Sequence, residues 1–199
     1  MEKQLIISIS REYGSAGHDI AENIAREMNL KFYDRNMLDE IAKSKNVQID
    51  NLKKYDEKPR NIFNSRKVGS FTNSYEQIIA EMQFDYIREK ANAGESFVIV
   101  GRCSETVLKG NEALISIFIL GDKEVKLKRI MDKFNLNESD AAAKIKRHDR
   151  NRKQYHNHYS DGKWGDSRLY DMCINSSRLG IDKTTAVIRH FIEERKSIK

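Results

Sequence analysis

The chain has 199 residues, of which 39% are hydrophobic and 33% charged, with two cysteines and a formal net charge of +6. That length supplies one sizeable core, and the composition excludes both a disulfide-stapled miniprotein and a fully disordered chain. The longest purely apolar runs, such as Ile117 to Leu120, fall far short of the ~20 residues that cross a bilayer, which excludes a membrane-spanning protein.

Leu5 to Ser10 is an apolar, β-branched run and is read as the first strand. No secretory signal is read there, because the apolar stretch meets Arg11 and Glu12 at once. Cys103 and Cys173 stand at no metal-ligand spacing, which fits a reducing cytoplasm. Ile20, Ile24 and Met28 then repeat every four residues and predict a helix with one apolar stripe. Lys31 to Tyr33 is the second expected strand. The polar, weakly periodic segment 47–72 carries the only proline, Pro59, and Gly69, and reads as an insertion. Ile78, Met82 and Tyr86 predict a second core stripe. Phe97 to Val100 and Ile115 to Leu120 are nearly continuous apolar runs, as expected of strands covered on both faces, and Met172 to Ile174 is the last strand. This alternation predicts an α/β three-layer sandwich with a parallel five-stranded sheet, in a single domain over 1–199.

Charge is unevenly placed. Residues 123–153 hold eleven Lys/Arg against five Asp/Glu, so this stretch carries the whole net charge. It is either a solvated helix face or a surface for an anionic partner.

Between the first strand and the first helix lies Ser10-Arg11-Glu12-Tyr13-Gly14-Ser15-Ala16-Gly17-His18-Asp19. Backbone N–H groups of such a loop and the positive end of the helix can converge on a phosphate, and Gly14, Ser15, Ala16 and Gly17 are small enough to let it approach. Against the pattern G-x-x-x-x-G-K-[ST], Glu12 takes the first glycine position, His18 the lysine and Asp19 the hydroxyl residue. On these residues alone a structural turn and a nucleotide site both stay open. Arg102 follows Val100-Gly101 at the carboxyl edge of a strand, where open α/β sheets place ligands, and is either a phosphate grip or a surface ion pair. Downstream, Lys146 to Lys153 includes Arg147, Arg150 and Arg152.

Taken in order, five blocks resemble the cytidylate-kinase-like family of nucleoside monophosphate kinases over nearly the whole chain. They are R-E-x-G-S-x-G at Arg11 to Gly17, F-Y-D-R at Phe32 to Arg35, V-I-V-G-R-C at Val98 to Cys103, D-x-x-R at Asp149 to Arg152, and Y-D-x-x-x-N-[TS]-S at Tyr170 to Ser177. The resemblance implies a P-loop kinase fold with the insertion 47–72 on the acceptor side and a helical lid at about 137–159, binding ATP and Mg²⁺ and acting on a small-molecule nucleotide. It implies that Gly14, Ser15, Ala16, Gly17, His18 and Asp19 line the ATP phosphates and that Arg102 binds the acceptor monophosphate. His18, Arg147 and Arg152 become the catalytic candidates, and Asp34, Asp149 and Asp171 polar groups near the acceptor or lid. Asp19 either holds Mg²⁺ or caps the helix.

The chain also departs from that pattern. His18 replaces the P-loop lysine, and the acceptor motif of cytidylate kinases is replaced at Asp34 to Glu40, so cytidine specificity does not carry over. Two other readings stand beside the phosphotransferase: a weakly active or inactive nucleotide sensor, and a nucleic-acid module using the basic stretch with Tyr155, Tyr159 and Trp164. Neutrality outside 123–153 weighs against the last. His156 and His158 are read as exposed side chains and Cys103 as a small buried one.

Overall fold

Alternation along the first strand sets the layers. In β1 (Ile6–Arg11), Ile7 and Ile9 point into one apolar cluster and Ile6 into another, on the opposite face. The computed structural model describes residues 3–34, 36–45, 67, 68, 71, 72 and 75–198. Chain order continues with α1 (Gly17–Glu27), β2 (Lys31–Tyr33), α2 (Met37–Lys45), the short antiparallel pair β3 (Lys67–Val68) and β4 (Phe71–Thr72), and α3 (Tyr75–Asn92). Then come β5 (Phe97–Val100), α4 (Ser104–Val107), β6 (Leu114–Leu120), α5 (Lys123–Phe134), α6 (Glu138–Tyr159), β7 (Met172–Asn175) and α7 (Ser176–Ser197).

Five strands form one parallel sheet in the order β2-β5-β1-β6-β7, with Ile6 opposite Phe97 on one side and Leu114 on the other. Helices α1 and α7 cover one face through Ile20, Ile24, Ile188 and Ile192, all at 0% exposure. The other face is covered by α2 and α3 through Met37, Ile41, Ile79 and Ile87. Each fully buried isoleucine contributes about 1.5–3 kcal/mol. This is the expected α/β sandwich of P-loop kinase type.

Strand positions agree with the sequence reading to within one residue at either end. The second stripe holds at Tyr86, buried at 8% exposure, and at Met82, half-buried against the same cluster, but not at Ile78, which is 42% exposed; Ile79, Ala80, Phe84 and Ile87 also face inward. A row of residues four apart drifts around the helix, and α3 packs on both the sheet and α4, so its buried arc centres one residue later. The insertion 47–72 lies outside the described residues apart from β3 and β4. Among the described residues no helix is long and apolar enough to cross a membrane.

Candidate anion site at the carboxyl edge of the sheet

The loop after β1 owes its shape to two left-handed residues, Gly14 at φ +86° and Ala16 at φ +60°. Ser15 Oγ donates to the Glu12 carbonyl at 2.9 Å, and Ser176 Oγ, from the start of α7, donates to the Ser15 carbonyl at 2.6 Å. Gly17 opens α1 with no room for a side chain, since a Cβ there would stand 2.6 Å from Arg11 Cβ. Ala16 is the residue before the helix and offers no side-chain cap, while Asp19 sits in the first turn. Asp19 is therefore not the cap. Within the loop the Ser15 N–H donates to the Glu12 carbonyl at 3.4 Å and the Gly17 N–H to Ser15 Oγ at 3.3 Å; the first turn of α1, with no side-chain cap, is the end of a helix that can hold an anion.

A cavity of about 160 Å³ opens beside them, walled by the loop, His18 and Asp19 on one side and by Arg129, Ile130, Lys133 and Phe134 of α5 on the other. Arg129 donates to the Gly14 carbonyl. Arg11 and Arg152 close its end. Glu12, in the position where phosphate loops carry a glycine, accepts from Lys126 Nζ at 2.7 Å and from the Gly121 N–H at 3.1 Å. Glu12 lines this cavity too, with its charge paired to Lys126. Sequence reasoning passed over Lys126, Arg129 and Lys133; their signal was a spacing of three, four and seven residues, which puts them on one face of α5.

His18 Nε2 lies 2.8 Å from Asp34 Oδ2, joining α1 to the carboxyl end of β2. This hydrogen bond holds the Asp34 carboxyl below its ordinary value, helped by the Arg102 charge. Arg102 itself is 2% exposed with φ +63°, so it is a buried group and not a surface ion pair. It lines a second, narrow cavity of about 20 Å³ together with Arg11, Arg152, Tyr155, His156 and Trp164. Arg152 borders both cavities and donates to the Arg11 carbonyl at 3.2 Å.

On α6, residues 148, 149, 152, 155 and 156 share the face that meets the body. Asp149 accepts from the Tyr13 N–H at 2.6 Å and stands 3.9 Å from Lys126 Nζ, and burial raises its carboxyl above the ordinary value despite those partners. Arg147 is on the opposite side of the helix, exposed and in neither cavity wall. Nor does Asp171 join the cluster: its Oδ2 accepts from the Ser116 N–H and hydroxyl at 2.7 and 2.9 Å, pinning the start of β7 to the middle of β6. His156 corrects the expectation of exposure. It is 3% exposed, with Nε2 2.9 Å from Glu105 Oε1. Ser8 and Ser10, on the same face of β1, donate to the other Glu105 oxygen at 3.4 and 3.3 Å. His158 is exposed and Cys103 buried. Tyr155 is 5% exposed, which takes it from a base-stacking surface, while Tyr159 and Trp164 are half-buried, in edge contact with Phe84 and Phe118. Among the described residues no group of three or more His, Cys, Asp or Glu is placed to hold a metal ion.

Comparison with solved structures finds an uncharacterized protein from Eubacterium ventriosum ATCC 27560, 40% identical, with TM-score 0.76, covering 96% of this chain and 99% of that one. Shikimate kinase from Bacteroides thetaiotaomicron is 12% identical with TM-score 0.55, covering 95% and 98% of the two chains. Shikimate kinase from Acinetobacter baumannii in complex with shikimate is 13% identical with TM-score 0.55, covering 98% and 96%. These two likenesses establish the fold alone. A comparison with curated proteins finds no significant match. The sequence pattern of the cytidylate kinase-like family matches residues 6–178, which with the parallel sheet and the glycine loop at its carboxyl edge makes the chain a member of that family.

Proposed function

We propose that the protein transfers the γ-phosphoryl group of ATP to a small acceptor of the nucleoside monophosphate class. The observation that carries this reading is Arg152, which stands on the wall between the loop cavity and the cavity of Arg102. A cation between a donor and an acceptor site is what phosphoryl transfer needs, since it proceeds by positioning and charge stabilisation without a covalent nucleophile.

In this reading the Gly14 to Gly17 loop and the N–H groups of α1 hold the triphosphate. His18 stands at the phosphate end, oriented by Asp34. Arg102 grips the acceptor phosphate through a bidentate contact. Mg²⁺ ordinarily takes one or two carboxylates plus phosphate oxygens, and Asp19, half-exposed on the cavity wall, fits that donor set. When bound, the ion would neutralise charge on the transferring group. The charge of a P-loop lysine is supplied instead by Arg152, with Arg129 and Lys133 across the cavity.

Helix α6 serves as the lid. The cavity beside Arg102 has room for about one water, so α6 must swing outward to admit an acceptor. A thermal-shift screen tests the assignment: ATP and each monophosphate, alone and together with Mg²⁺, stabilise the protein if both sites exist. No shift with any nucleotide would remove it. Shifts without turnover would favour the nucleotide-sensor reading, which the replacement of the P-loop lysine by His18 keeps in view.

A further inference from the structure

Tyr13 sits in the glycine loop, lines no part of the sheet, and is met by three side chains of helix α6. The His148 ring stacks on the Tyr13 ring with centroids 4.1 Å apart and planes within 7°. The Arg152 guanidinium carbon lies 5.5 Å from the same ring centroid. Asp149 accepts the Tyr13 backbone N–H at 2.6 Å. Residues 148, 149 and 152 are neighbours on one helix face, so one loop residue meets a full turn of α6.

Arg11 and Arg152 both border the two cavities, and of the pair Arg152 is the one carried by helix α6. A long arginine side chain has many rotamers, and its backbone moves with the lid. Its fixed neighbours on the loop are the Arg11 carbonyl at 3.2 Å and the Tyr13 ring. A ring held flat against His148 supplies a rigid surface for the guanidinium and a bearing for the whole turn.

We infer that Tyr13 is a positioning residue: it docks the lid helix on the phosphate loop and fixes where Arg152 stands between the two cavities. This rests on the proposed phosphotransferase function. The stack and the cation contact both use the ring, so Tyr13→Phe retains them.

Two measurements on Tyr13→Ala and Tyr13→Phe separate this role from the reading it rests on. In the ligand-free protein, amide exchange over residues 148–152 should accelerate about tenfold in Tyr13→Ala and stay near the parent rate in Tyr13→Phe. In turnover, kcat should fall about tenfold or more in Tyr13→Ala, by more than KM for ATP rises, and Tyr13→Phe should restore it. His148→Ala, which leaves the loop sequence intact, should shift exchange in the same direction if Tyr13→Ala folds poorly. Unchanged exchange in Tyr13→Ala and His148→Ala, or equal acceleration in Tyr13→Ala and Tyr13→Phe, would overturn the assignment whatever the turnover. Accelerated exchange in a protein that transfers no phosphoryl group would sustain the docking role and refute the kinase reading alone.

Discussion

His156 Nε2 lies 2.9 Å from Glu105 Oε1 at the base of helix α6, and both side chains are nearly inaccessible to solvent. This pair ties the end of helix α6 to the segment that follows Arg102, on the face of β1 that carries Ser8 and Ser10. A buried carboxylate deprived of its partner pays the full desolvation cost. His156→Ala should therefore lower unfolding free energy by about 1–3 kcal/mol. Urea denaturation checks this, and a change below about 0.5 kcal/mol, the range of ordinary surface substitutions, would contradict it.

The two arginines that resemblance alone treats alike should differ in kinetics. Arg152 borders both cavities, whereas Arg147 is exposed on the far side of the helix. Removing a charge that acts in the transition state costs about 10³-fold or more in turnover. Arg152→Ala should show that loss in kcat with KM for ATP little changed, and Arg147→Ala should stay within a few-fold of the parent. Equal losses in the two variants would show that α6 presents another face during the reaction.

Gly17 is fixed by its own neighbour. A Cβ at this position would approach Arg11 Cβ to 2.6 Å, so Gly17→Ala must displace either the loop or the end of β1. Overpacking of this kind costs about 1–3 kcal/mol. Both the melting temperature and nucleotide affinity should fall in Gly17→Ala, measured by calorimetry. Parent-like affinity would place the nucleotide elsewhere.

Much of this was readable from the residues. Strands β1, β5 and β6 announce themselves because both of their faces are covered and their apolar runs are unbroken, and Asn137 starts α6 by accepting the Asp140 N–H at 2.9 Å. The glycine loop is local too. What was hidden depends on which way a helix turns or which strand lies alongside. Arg147 and Arg152 look equivalent until α6 is seen to present 148, 149 and 152 to the body. Asp171 belongs to a block resembling the family yet is taken up by Ser116, a contact 55 residues away. Glu105 and His156 are 51 residues apart, and neither sits in an apolar pattern that would predict burial. The pairing of Glu12 with Lys126 spans 114 residues and becomes visible only once α5 folds back over the loop.

The most direct measurement is phosphoryl transfer itself: purified protein with γ-labelled ATP, Mg²⁺ and a panel of nucleoside monophosphates, with diphosphate product separated and counted. Labelled diphosphate is expected from at least one acceptor, reduced about 10³-fold in Arg152→Ala. Product no greater than that of Arg152→Ala for every acceptor, in protein that is folded and binds ATP, would contradict it.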